Sequence, residues 1–367
     1  MSIPFEENSS SAPKPRMSGR ARLLVSLMAP LVGVLFAEVY VRGTGLAAIP
    51  MPRIQGAVFA SVSDPLLLYV NKPNAKKVIH YDDGPGKRWS VTMESNANRF
   101  RGPEVSLEKP EGTTRVACLG DSHTWGEGVE FSESWPAQLQ GFAQPNVEVM
   151  NCGVNAYDTL QEVLWYERFV EKFDPDVVVI QYFSNDVAAR GLGKLGGKAE
   201  KDSWVSLTHP RRKGTVGFLR ERLVSMDTLF DRIYRWRSLR ARQDSWTSRY
   251  TEEGVGWRRV RDGLLRLRDR CARDEREFYV ALFPYLVPEG DGFASHDVLE
   301  ITADFCRENG MKVFNGEPSL LAVLDREDPG ALRVSLNDFH ANGTAYAAFS
   351  RELAAWLATE GLPFRSE

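Results

Sequence analysis

A succession of short apolar runs, each stopping at a polar or glycine-bearing turn and each followed by a stretch of helical spacing, constrains this chain more than any other feature. Residues 115–119 carry β-branched and small apolar side chains with little alternation and stop at Gly120-Asp121-Ser122. Residues 147–151 end at Cys152-Gly153-Val154-Asn155-Ala156, and residues 177–183, the clearest run, end at Ser184-Asn185-Asp186. Such runs read as strands buried on both faces of a parallel sheet. Between them, residues 134–142 read as a short helix. Asp158 or Thr159 can cap a second helix, whose Val163, Leu164, Tyr166, Phe169 and Val170 fall near a helical period. Asp174-Pro175-Asp176 ends it, because proline cannot continue the hydrogen-bond ladder.

Strands alternating with helices imply right-handed parallel crossovers, and the expected fold is α/β: a flavodoxin-like doubly wound parallel sheet of about five strands. The pattern resumes with a fourth strand at 277–283, a helix over 298–307, a fifth strand at 311–314 and a closing helix from about Gly343 to Thr359. The turns that carry Ser122, Gly153 and Asn185 then lie at the carboxyl ends of three strands, the rim where open α/β sheets collect ligands. Asp121 or Ser122 has a second reading there, as the cap of the following helix.

The amino terminus reads differently. Residues 1–22 form a polar tail expected to be disordered and cytoplasmic. Residues 23–41 are interrupted only by Glu38 and are near the lower limit of about 17 to 20 residues for crossing a bilayer. Lys14, Arg16, Arg20 and Arg22 precede the span and Arg42 and Arg53 follow it, so the positive-inside rule keeps the amino terminus in the cytoplasm and sends the rest outside. A cleaved signal peptide and a buried core helix are the other readings of the span. Residues 42–110, broken by Pro50, Pro65, Pro73, Pro85 and Pro103, read as an extended arm or hairpin with strand-like pieces at 66–70 and 88–92. Within the arm, 98–102 either reaches the site or gives Phe100 to the core. The main domain then spans 111–367, with an arginine-rich insertion at 187–274 that is either a solvated helical addition or a lid over an anionic substrate or membrane surface.

Composition removes several function classes. A net charge of −3 favours no polyanionic partner, so no nucleic acid is expected. Cys118, Cys152, Cys271 and Cys306 lack C-x-x-C spacing, so no metal site is indicated; Cys118 and Cys152, in or beside apolar strands, read first as small buried hydrophobes, with disulfides left open. Gly120, Gly126 and Gly128 do not have dinucleotide-binding spacing and no P-loop lysine follows, so no cofactor is expected. Acyl transfer from an ester needs a nucleophile, a base, a group that orients the base, and oxyanion donors. Ser122, His340, Asp338, Gly153 and Asn185 supply that set. Of the five histidines, His340 alone joins a nearby aspartate at the mouth of the terminal helix. His123 reads as a packing residue, and His80, His209 and His296 as peripheral.

In these blocks the chain resembles the SGNH hydrolases of the GDSL esterase superfamily: Gly120-Asp121-Ser122, Gly153, Asn185-Asp186 and Asp338-Phe339-His340 match the first, second, third and fifth blocks in order. The match covers roughly 115 to the end without the insertion. The anchor ending in Glu38, the 98–102 segment and Trp135-Pro136 also look like the membrane-anchored bacterial branch. The resemblance implies that Ser122 attacks the acyl carbonyl, His340 takes its proton and Asp338 fixes the imidazole. It also implies an oxyanion hole of the Ser122 and Gly153 N–H groups and the Asn185 amide, with Asp121 and Asp186 tying the loops together. Two departures stand out: Phe183 occupies a position often held by glycine, and the frequent Asp-x-x-His spacing would put Asn337 where an aspartate is expected. Asp338 is preferred because a carboxylate stabilises imidazolium better than an amide.

The leading expectation is an anchored extracytoplasmic serine esterase that removes acetyl or other short acyl groups from a carbohydrate or cell-envelope substrate. An O-acyltransferase acting on a glycan and a non-catalytic glycan-binding or assembly protein are the alternatives, and the sequence names no protein partner. With an unperturbed imidazole, hydrolysis should decline as pH falls through about 6.5.

Overall fold

The computed structural model describes residues 18–44, 52–84, 86–188, 250–251, 254–328, 330–335 and 338–365, together with 222, 223, 225, 226, 228 and 229. The chain divides into two units, Met1–Ala48 with Arg211–Arg235, and Ile49–Pro210 with Trp236–Glu367. Most of the 187–274 insertion, including Gly191, Gly193, Gly196 and Gly197 and every arginine from 211 to 242 except Arg222, lies outside the described residues, as do the 1–17 tail, His209 and Asn337.

In the first unit, helix α1 (Gly19–Thr44) continues through Pro30. Its Arg22–Thr44 portion, 23 residues containing an 18-residue stretch of mean hydropathy 2.0, is long and apolar enough to cross a membrane. Leu23, Leu24, Leu31, Leu35 and Phe36 are exposed along it. Glu38, the one carboxylate in the span, pairs with Arg42 at 2.7 Å and accepts from the Ser225 N–H at 2.9 Å.

The second unit is built on a five-stranded parallel sheet. Its strands are β6 (Thr114–Leu119), β7 (Val147–Asn151), β8 (Val177–Phe183), β9 (Glu277–Phe283) and β12 (Lys312–Asn315), in the order β12-β9-β8-β6-β7. Every residue of β8 is buried, which is why it reads as an unbroken apolar run rather than an alternating one. The chain leaves β6 toward β7 but continues from β8 toward β9 and β12. Right-handed crossovers therefore put helices on both faces and open a crevice at the carboxyl ends of β6 and β8.

Helices α3 (Trp135–Phe142) and α8 (Gly343–Thr359) pack together, Trp135 edge-on to Phe349 at 5.8 Å. Helix α4 (Thr159–Trp165) packs on α5 (Val255–Arg273), joined by Arg259 to Asp158 at 2.8 Å. Helix α6 (His296–Glu308) meets α5 where Trp257 abuts Phe305, and the short α7 (Glu317–Leu321) follows β12. The four cysteines are free and buried.

The 52–110 arm is more sheet-like than its prolines suggest. Strands β1 (Arg53–Gly56), β4 (Lys76–Asp82) and β5 (Arg88–Glu94) form an antiparallel sheet. The piece expected at 66–70 shifts instead to β3 (Tyr69–Asn71), paired with β2 (Phe59–Ser61), because Asp64 accepts the Leu66 and Leu67 N–H groups and holds that stretch as a turn. Phe100 is buried against Trp165 and Phe173, so it serves the core. The two-residue strands β10 (Pro288–Glu289) and β11 (Gly292–Phe293) close a tight hairpin. A last hairpin, β13 (Arg333–Ser335) with β14 (Asp338–Ala341), was not apparent from the sequence.

Candidate active site

Ser122 stands at the first position of the four-residue helix α2 (Ser122–Trp125), directly after β6. Gly120 makes the turn possible: its φ is +150°, and a Cβ there would meet the Thr124 Oγ1 at 2.1 Å. Both sequence readings of this turn hold at once. Asp121 caps the helix, its Oδ1 accepting from the His123 N–H at 2.9 Å, while Ser122 remains available at the rim.

The hairpin β13–β14 brings the distant partners to that serine. Along β14, Asp338 and His340 are two residues apart and so project from the same face. His340 Nε2 lies 2.8 Å from Ser122 Oγ, and Asp338 Oδ1 lies 2.5 Å from His340 Nδ1 while also accepting from the His340 N–H at 3.1 Å. The second oxygen, Asp338 Oδ2, accepts from the Tyr81 hydroxyl at 2.8 Å.

The electrostatics are those of an ion pair beside a hydroxyl. Burial alone would depress the His340 pKa, but the Asp338 carboxylate outweighs it and holds the imidazole up at about 9. Burial works against charge on Asp338 as well, and His340 with the Tyr81 hydrogen bond reverses that and holds the carboxyl down at about 2. The His340 side chain remains 28% exposed, open to a substrate. His123, directly beside Ser122, is the opposite case: burial pushes it down to about 4, so it is neutral and packs between Phe183 at 4.2 Å and Phe283 at 4.9 Å. Phe183 therefore fills space beneath the site. The peripheral histidines His80 and His296 bond Ser90 and Glu317.

Gly153 and Asn185 reach the same rim. A Cβ on Gly153 would come within 2.3 Å of the Trp125 nitrogen, so glycine here lets the β7 loop press on the helix that carries Ser122. The Gly153 N–H donates to Asn151 Oδ1 at 3.1 Å, and Asn185 Nδ2 donates to Asp121 Oδ2 at 3.1 Å. The Asn185 amide keeps a second N–H for a ligand, whereas the single Gly153 N–H must be shared with Asn151 to take part. Asp186 faces inward rather than toward the rim, accepting from the Thr159 hydroxyl at 2.8 Å. Burial raises it well above the usual carboxyl range, and Glu162 likewise.

Sequence reasoning missed the arm's part in the site. Asn71 donates to the Gly153 carbonyl at 3.0 Å, and Tyr69 to the Asn155 carbonyl at 2.7 Å. The buried Lys77 meets Glu127 at 2.6 Å. Arg101 places its guanidinium on the carbonyls of Trp125, Gly126 and Val129, each at 2.6 Å, at the end of α2. Of the arm, the sequence marks only the 98–102 segment as able to reach here. No group of residues suited to a metal ion occurs among the described residues.

No protein-family model matches the chain, and no match to a curated protein is found. Solved structures do resemble it. A member of the lipolytic protein G-D-S-L family from Veillonella parvula is 14% identical, with 68% of this chain and 97% of that one covered at a TM-score of 0.38. A GDSL-like lipase from Bacteroides thetaiotaomicron is 12% identical, with 70% and 93% covered at a TM-score of 0.36. An α/β-hydrolase enzyme from the metagenome of Lake Arreo is 16% identical, with 68% and 95% covered at a TM-score of 0.42. Similarity at this level assigns no activity, which rests on the geometry of the site. The solved structures that this chain resembles thus include lipolytic proteins of the G-D-S-L family, the superfamily its sequence blocks also resemble.

Proposed function

We propose that the protein is a serine ester hydrolase that acts through an acyl-serine intermediate. The observation that carries this reading is the continuous chain from Ser122 Oγ to His340 Nε2 at 2.8 Å and from His340 Nδ1 to Asp338 at 2.5 Å. A hydroxyl on its own is a poor nucleophile at neutral pH, and a base in hydrogen-bond reach with its far nitrogen held by a carboxylate is what activates it. Ser122 attacks the acyl carbonyl, its proton passes to Nε2, and Asp338 stabilises the imidazolium. The proton then goes to the departing alcohol oxygen as the tetrahedral intermediate collapses, and a water activated by the same imidazole releases the acid. The free N–H of the Asn185 amide, the Ser122 N–H at the start of α2 and the Gly153 N–H are the donors for the oxyanion.

The substrate in this proposal is a short acyl ester, O-acetyl above all, on a carbohydrate of the cell envelope. The α1 helix supports a single-pass anchor, and the positive charge before it supports a cytoplasmic amino terminus with the catalytic unit outside. The test is hydrolysis of a short-chain chromogenic ester by the detergent-solubilised full chain. Ser122→Ala should abolish turnover above the spontaneous rate, and equal rates for the two proteins would end the proposal. Product analysis with an acetylated oligosaccharide and a second glycan present separates release of free acetate from transfer.

A further inference from the structure

The two oxygens of Asp338 are satisfied from different parts of the chain. Oδ1 faces His340, whereas Oδ2 takes the hydroxyl of Tyr81, which comes from the arm sheet some 257 residues away in sequence. Tyr81 is 2% exposed, and its ring stacks on Trp89 at 5.0 Å with 13° between the planes. A Cβ on Gly128 would lie 2.5 Å from the Tyr81 oxygen, so the α2 side of the site is also shaped around this hydroxyl. Burial and the neighbouring carboxylate both raise the phenol, which keeps it protonated and a donor.

We propose that Tyr81 is a positioning residue for the reaction, holding the Asp338 carboxylate in the plane that orients His340, so that the arm is part of the catalytic unit. This rests on the ester-hydrolase reading. A carboxylate with one oxygen unpaired can rotate, and each rotation breaks the Nδ1 contact that sets the imidazole tautomer. The hydroxyl also draws charge from the carboxylate. It is held more tightly when His340 is neutral than when imidazolium competes for the same anion, so Tyr81 favours neutral imidazole, the form that acts as base.

The experiment compares the full chain, Tyr81→Phe, Ser122→Ala and Tyr166→Phe on a short-chain ester, with thermal unfolding measured in parallel. Tyr166 is a buried tyrosine whose hydroxyl bonds Arg276 away from the site, and it controls for loss of a buried hydroxyl. Tyr81→Phe keeps the stack on Trp89. It should lower kcat about tenfold, the order expected for losing a hydrogen bond to a charged group, with KM little changed. Its acid limb should move to higher pH, and it should unfold no earlier than Tyr166→Phe. An unchanged kcat and pH limb overturns the proposal. So does a limb that falls toward the ordinary histidine range together with earlier unfolding, because the hydroxyl then only supports packing. Full activity in Ser122→Ala overturns both this proposal and the reading beneath it, whereas an inactive Ser122→Ala beside an unaffected Tyr81→Phe removes this one alone.

Discussion

On the proposed mechanism, the pH dependence of hydrolysis follows from the site with little freedom. Only neutral His340 can take the Ser122 proton, and the Asp338 carboxylate holds the imidazole up at about 9. The rise from the ordinary value near 6.5 corresponds to about 3 kcal/mol of preference for imidazolium. At pH 7 about 1% of the free enzyme then carries neutral imidazole and at pH 9 about half, so kcat/KM should rise about 50-fold between them. An imidazole at the ordinary value would give only about a 1.3-fold rise over the same range. The limb is therefore expected well above the position read from an unperturbed histidine. Asp338→Asn supplies the second arm: burial then acts on His340 without the anion, so the bend should move below about 7 while the maximal rate drops by about 10⁴. The assay is pH-stat hydrolysis of a poor short-chain ester, corrected for spontaneous cleavage, with slow turnover ensuring that chemistry limits the rate. A flat profile from pH 7 to 9, or an Asp338→Asn profile identical in shape to the parent, would refute the assigned base and its carboxylate partner.

Two further outcomes test the framework around the triad. Gly153→Ala places a methyl group 2.3 Å from the Trp125 nitrogen, so it should cost about 1–3 kcal/mol in chemical denaturation and sharply reduce turnover; an undisturbed protein would show that the β7 loop does not press on α2. Glu162 is buried with neither oxygen hydrogen-bonded among the described residues, and burial raises its pKa well above the usual value. The folded state therefore holds a proton that the unfolded chain releases above about pH 4.5, and stability should fall by up to about 1.4 kcal/mol per pH unit above that point until the folded pKa is reached. Glu162→Gln should make that slope shallower, the remainder belonging to Asp186 and, above about pH 6.5, to His340, as read from urea midpoints between pH 5 and 8, and an identical slope in the variant would contradict it.

Much of the sheet was legible because its signal is local. A strand covered on both faces must be apolar throughout, and 177–183 coincides with β8 for that reason; 277–283 coincides with β9, buried after its exposed Glu277, and 147–151 with β7 at the sheet edge, where Glu148 reaches Arg115. The closing helix likewise runs Gly343–Thr359, with Asn342 capping it by accepting the Ala345 N–H. The 66–70 piece misled because its apolar residues serve a turn held by Asp64 rather than a strand. The hairpin that carries Asp338 and His340 was hidden for a related cause: its strands are three and four residues long and half-buried, too short for any period to show.

What the sequence determined by itself is the set of strand ends and the chemical types placed on them, since apolar runs and the turns that stop them are properties of neighbouring residues. Which groups meet there was decided only by the tertiary structure. His340 and Ser122 are 218 positions apart and Tyr81 and Asp338 are 257 apart, and no local pattern encodes such a pairing. Packing also set the resting charge of each histidine at neutral pH. Two imidazoles stand 5.3 Å apart, yet one is driven neutral by burial while the other is held charged by a carboxylate, a difference that depends on surroundings and not on residue type.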